Sequence, residues 1–169
     1  MKRIWLVFFA AVLGCSSNPL SVCSGPTLAN CDLRGADLRG VRLDGQELSG
    51  ADLRGADLSG ASLVGARLQY VKFNGANLEG ADFSSADLFF STFDKADLKS
   101  ARFRNARAHY VSFWQSDLTG SDLSNADFYS ARFHFAKLEG VQIDGTDFNG
   151  ANLTGTVLED TAVDPDRGK

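Results

Sequence analysis

The sequence predicts an all-β solenoid, a chain wound into a tube around a packed apolar interior. Three observations carry that prediction. From residue 33 to residue 158 every fifth residue is Leu, Phe or Ile, with Ala108 the one exception. Two residues before each of these centres stands a small residue, most often Ala, with Gln46 the one long side chain. Most of the 17 glycines fall on multiples of five, two residues after a centre. A fixed short period over such a span marks a repeat architecture and has to be recognised before single elements are read.

The period excludes simpler elements. Five residues advance an α-helix by about 500°, so the centres would drift by about 140° per repeat and form no stripe. A straight strand alternates faces with period two, so an odd period sends successive centres to opposite sides. Within one repeat, however, the small residue and the centre are two apart and point the same way in an extended segment. A corner before the next pair restores the inward direction, and Gly tolerates the backbone angles such a corner needs.

The phrase ADLRGADLSG at residues 51–60 resembles the A-(D/N)-L-X-X phrase of the pentapeptide-repeat family. The resemblance covers about 130 of the 169 residues without a break in register. It implies a right-handed quadrilateral β-helix with four repeats per coil. That gives about six to seven coils and, at about 4.8 Å per coil, a tube about 30 Å long. Columns can then be read at intervals of twenty. Leu38, Leu58, Leu78, Leu98, Leu118, Leu138 and Leu158 form one interior column, and Leu33, Leu53, Phe73, Phe93, Phe113, Phe133 and Leu153 another. Each large side chain taken out of water contributes roughly 1.5–3 kcal/mol, which offsets the ordering of the backbone.

The first fifteen residues, MKRIWLVFFAAVLGC, differ from the rest. Lys2 and Arg3 precede an apolar run from Ile4 to Leu13 that is too short for a spanning helix and suits a signal peptide. The run ends in Val12-Leu13-Gly14-Cys15, which resembles a bacterial lipobox, although Leu13 stands where Ala or Ser is usual. The resemblance implies that residues 1–14 are a removed leader and that Cys15 carries the lipid. Ser16 in place of an inner-membrane Asp points to the outer membrane of a bacterial envelope. Residues 15–30 read as a tether, 31–160 as the β-helix and 161–169 as a tail. Cys23 and Cys31 flank the end of the tether. In an oxidising compartment they can form a disulfide; alternatively Cys31 is simply a small inward-facing residue.

The formal charge is −4, and loss of Lys2 and Arg3 leaves 15 basic against 21 acidic residues, or −6. This balance argues against nucleic acid as a partner. One outward column reads Glu47, Arg67, Asp87, Arg107, Asp127, alternating in sign and suited to exposed ion pairs. Another reads Asp37, Asp57, Asn77, Asp97, Asp117. Three readings fit it: a cation site, carboxylates screened from one another by solvent, or carboxylates that bond the backbone of each corner. The pattern fixes no metal site and no cofactor site.

Corner glycines are nearly continuous up to Gly80 and then absent until Gly120. Outward positions in and around that interval carry Tyr70, Phe89, Phe90, His109, Tyr110, Trp114, Tyr129, His134 and Phe135. They come from adjacent coils and are expected to gather into one aromatic patch beside a wall dented at Ala108. Such a patch is either a binding surface or a ladder that stabilises the tube. His109 and His134 lie one coil and one side apart, no nucleophile neighbours them, and there is no phosphate loop, so no catalytic residue is assigned. Besides a purely mechanical spacer with a flat, partner-free surface, two functions remain. One is a lipid-anchored envelope module that offers the aromatic face to a protein, peptide or glycan. The other follows from the family, some of whose members imitate duplex DNA and act on DNA gyrase. Family members also form dimers, which leaves a homodimer open here.

Overall fold

The computed structural model describes residues 27–158. Every β-bridge in it is parallel and links a residue to the one twenty positions on, from Asp32–Asp52 to Arg132–Asn152. Four corners therefore close each circuit. The first wall contains residues 31–33 and their equivalents at intervals of twenty. The second contains 36–38, the third 41–43 and the fourth 46–48, and corners one to four follow the walls in that order.

Each corner is a four-residue turn. At the first, the Ala36 N–H donates to the Leu33 carbonyl at 3.1 Å while Gly35 takes φ +64°. A positive φ at the third residue of a turn is what the type II geometry requires. All multiples of five from Asn30 to Gly155 meet that requirement, glycine or not. Where Asp or Asn precedes the centre, its side chain can hold the turn from outside: Asp57 Oδ1 accepts the Ser59 N–H at 3.0 Å and Asp122 Oδ1 accepts that of Ser124 at 3.0 Å. Coils are joined by backbone bonds such as Leu33 N–H to the Asp52 carbonyl (2.7 Å) and Asp52 N–H to the Cys31 carbonyl (2.8 Å).

The residue that opens each wall must be small for the turn to close. With Ala at that place the closing bond runs 2.8–3.1 Å. β-Branched Val spreads it: 3.2 Å at Val41, 3.4 Å at Val71 and 3.5 Å at Val141. Among the described turns the Val111–Ala108 bond is the one not formed. Ser91 repairs its neighbour. Its hydroxyl accepts the Val71 N–H at 3.2 Å and donates to the Leu68 carbonyl, bridging the opened turn from the next coil.

Small residues and centres fill the interior as expected: Leu78 and Leu98 are 0% exposed. Phe73, Phe93, Phe113 and Phe133 stack at 4.7–5.1 Å between ring centres. Phe83 and Phe103 form a parallel pair at 5.0 Å in the third-wall column, set edge-on to the first. Two expectations need correction. Ile143 is not interior but 39% exposed: among the described residues it lies in the last bridged coil of the third wall, whose final bridge is Asp122–Gln142. The wall is not dented at Ala108, which is fully buried, since Phe103 and Phe128 approach to 6.2 Å across the space a larger centre would fill. Cys31 is disulfide-bonded, while Cys15 and Cys23 lie outside the described residues. No helix among the described residues is long and apolar enough to cross a membrane.

Candidate functional site: two aromatic corners flanking the first wall

The nine outward rings divide between two adjacent corners. Residues 69–70 and their equivalents form the fourth corner. There Tyr70, Phe90 and Tyr110 lie one coil apart at the positive-φ position and stack almost parallel. The ring separations are 5.7 Å at 4° and 4.9 Å at 11°. Phe89 stands nearly perpendicular to all three. Tyr129 closes the end of the stack edge-on to Tyr110 at 5.8 Å, and His109 leans on Tyr129 at 5.7 Å. Tyr70 is 55% exposed, Phe90 45% and Tyr110 41%.

Trp114, His134 and Phe135 sit on the first corner instead, so the single patch expected from the sequence is two. His134 and Phe135 rings are 4.2 Å apart, and Lys95 Nζ lies 5.0 Å from the centre of the Trp114 ring. The outward residues of the first wall, Lys72, Thr92, Ser112 and Arg132, run between the two corners. His134 Nδ1 is buried and has no hydrogen-bond partner among the described residues.

These rings stand where the backbone favours glycine. A bulky L-residue with positive φ is an outlier that costs about 1–2 kcal/mol relative to the right-handed region. Stacked and edge-on aromatic pairs contribute about 0.5–1.5 kcal/mol each. The two are of the same order, so mutual packing holds the rings in place while their outer parts stay in water. The arrangement is a ladder in its geometry and an open surface in its exposure.

Charged columns behave differently from a simple alternation. On the fourth wall Glu47 and Arg67 pair at 3.6 Å. Asp87 and Asp127 turn to the corner instead, accepting Gln69 Nε2 at 2.6 Å and meeting His109 Nε2 at 2.5 Å. That leaves Arg107 exposed, with no ion pair among the described residues. On the second wall the acidic column is laced by bases. Arg39 meets Asp37 at 2.6 Å, Lys99 meets Asp97 at 2.7 Å and Asp117 at 3.7 Å, and Lys137 meets Asp117 at 3.1 Å. Burial pushes the Asp117 carboxyl up, but bonds from Thr119 and Lys137 outweigh it and hold it below the ordinary value. The backbone N–H groups of Arg39, Ser59, Glu79, Lys99 and Thr119 donate to Asp37, Asp57, Asn77, Asp97 and Asp117, which supports the backbone-bonding reading of that column. No group of His, Cys, Asp or Glu among the described residues is placed to hold a metal ion.

The pentapeptide repeat model matches in eight copies across residues 22–142. The chain belongs to the pentapeptide-repeat family. Among solved structures, it is similar to HetL of the cyanobacterium Nostoc sp. strain PCC 7120, described as involved in heterocyst differentiation regulation. The two are 29% identical over 79% of this chain and 66% of that one, with a TM-score of 0.51. It shares its fold with trypsin-treated QnrB1 (R167E), a plasmid-mediated fluoroquinolone resistance protein. That pair is 16% identical over 78% and 70% of the two chains, with a TM-score of 0.60. No curated protein matches the chain.

Proposed function

We propose that this chain is a non-catalytic, lipid-anchored binding module of the bacterial cell envelope. In this reading the leader 1–14 is removed, Cys15 carries the lipid at the outer membrane, and residues 15–30 tether the solenoid. A β-helix of about six to seven coils then presents its aromatic corners to a protein, peptide or glycan. The leader sequence supports export. One observation carries the binding role: Tyr70, Phe90 and Tyr110 occupy positions where glycine would fit without strain, yet remain exposed. Strain kept at the surface, with apolar area open to water, is the usual mark of a contact site.

The gyrase-directed mimicry of DNA fits less well. A mimic needs free carboxylates, and Asp32, Asp37 and Asp52 are each clasped at 2.6 Å by Arg34, Arg39 and Arg54. Likeness to QnrB1 extends to the fold.

The test combines envelope fractionation with crosslinking in intact cells. It compares the full chain with a variant carrying Phe90→Ser, Tyr110→Ser and Trp114→Ser. The expected result is a membrane-bound protein whose crosslinked partner disappears in the variant while its fold survives. A cytoplasmic protein would remove the anchor from the proposal. An unchanged set of crosslinks would remove the surface.

A further inference from the structure

Building on the partner-surface reading above, we infer that the first wall between the two aromatic corners receives an extended peptide with apolar side chains in its middle and carboxylates at its ends. Three features select that occupant.

The first is which part of each ring is on offer. A sugar docks by laying its ring on an open aromatic face. In the ladder those faces are turned on each other, Tyr70 on Phe90 and Phe90 on Tyr110. Phe90, covered on both faces yet 45% exposed, meets water with its ring edge. The partly positive hydrogens of that edge suit aliphatic side chains and the faces of other aromatic rings, the chemistry of a peptide.

The second is charge. Lys72 and Arg132 mark the two ends of the strip, both exposed and both without an ion pair among the described residues. Lys95 adds a third cation beside Trp114. Asp87 and Asp127, turned to the fourth corner, are held by Gln69 and His109; between these ends the first wall and first corner carry one carboxylate, Asp94, and its oxygens are engaged. They accept the Ser112 hydroxyl at 2.5 Å, the Trp114 N–H at 3.2 Å and Asn74 Nδ2 at 3.1 Å. On a chain of net charge −4 this strip is locally basic. Complementary charge at its ends fixes the orientation of a ligand more than it adds affinity.

The third is dimension. Lys72 and Arg132 are three coils apart. At about 4.8 Å per coil that is about 14 Å, the span of about four residues of extended chain. An extended chain sends side chains alternately to two sides. Laid lengthwise on the wall, it reaches the fourth-corner rings on one side and Trp114 and Phe135 on the other.

The test uses the full-length lipoprotein in nanodiscs and a fluorescent peptide with a Phe-Leu-Phe-Leu core flanked by two glutamates at each end. Two probes serve as controls: the same core flanked by lysines, and chitohexaose. Anisotropy over that of empty nanodiscs reports binding. The glutamate peptide is expected to bind about tenfold more tightly than the lysine peptide. Raising salt from about 50 to about 500 mM is expected to weaken it. The surface double variant Lys72→Glu, Arg132→Glu is expected to reverse the preference. Equal affinity for both peptides, an unchanged preference in the double variant, or no peptide binding at all would overturn the inference. Binding of chitohexaose with neither peptide bound would overturn the peptide occupant and leave the partner surface standing. The crosslinking comparison above decides that surface separately.

Discussion

Residues 33–80 and residues 85–135 follow the same five-residue beat and solve its corner in opposite ways. In the first region every corner but that of Tyr70 uses glycine. In the second every corner but that of Gly120 forces an L-residue into positive φ. The interior changes with the corners. Leucine fills most of the first region, whereas Phe93, Phe103, Phe113, Phe128 and Phe133 pack ring on ring through the second. The strained corners lie over the more heavily packed core. The comparison teaches that a fixed backbone demand can be met in two ways. Glycine meets it and leaves the surface blank; a side chain meets it with strain and places chemistry there.

The largest expected effect tests the packing half of that contrast. Leu53 and Phe113 occupy one interior column. Phe113→Ala should destabilise by about 3–5 kcal/mol and Leu53→Ala by less, within a range of about 2–5 kcal/mol, measured by urea unfolding. A greater loss at Leu53 would mean that the rings add nothing beyond leucine.

Next comes the one exception among the centres. Ala108→Leu restores the repeat, yet it should destabilise by about 1–3 kcal/mol, because Phe103 and Phe128 already occupy the space. A gain in stability would show that the contact leaves a usable void.

Smaller still is the corner term. Gly75 and Lys95 are equivalent positions one coil apart, with φ +67° and +59°. Lys95→Gly should stabilise and Gly75→Lys should destabilise, each by up to about 1 kcal/mol. Opposite signs in thermal unfolding check the claim, and equal signs would break the contrast between regions.

The smallest effect belongs to the surface of the glycine region. Hydrogen bonds from Arg34 and Arg39 hold the Asp32 and Asp37 carboxyls down at about 2, from an ordinary 3.8. A depressed folded-state value stabilises above the unfolded value. Their contribution is therefore full above about pH 4 and is lost as the pH falls through about 2. Carboxyl titration by NMR should find both midpoints near 2; midpoints near 3.8 would show the Arg clasps to be absent in solution.

Much of this was legible in the sequence, because a five-residue period leaves the backbone one way to bury its centres. The interior columns followed from that alone. Ile143 did not, since burial at the end of a solenoid depends on a coil that the period cannot guarantee. The exposed rings were legible as outward positions. Their division between two corners required the residue numbers to be taken modulo twenty, which separates Trp114, His134 and Phe135 from the rest. Lys72 and Arg132 stand in the same outward register, so that signal was present, but the absence of partners is a matter of side-chain geometry. The turn opened by Val was invisible to the pattern, in which Val passes for another small residue.

The in-register bridges at twenty residues also set how the molecule can change length. An insertion of five residues ahead of the rings keeps every centre inside but moves all later residues round by a quarter circuit, so that the rings and Lys72 together face a new side. An insertion of twenty adds a storey and leaves every downstream residue facing as before. Variation in units of twenty therefore moves the ringed surface farther from or nearer to the chain's beginning without reorienting it, while smaller steps aim it in a new direction.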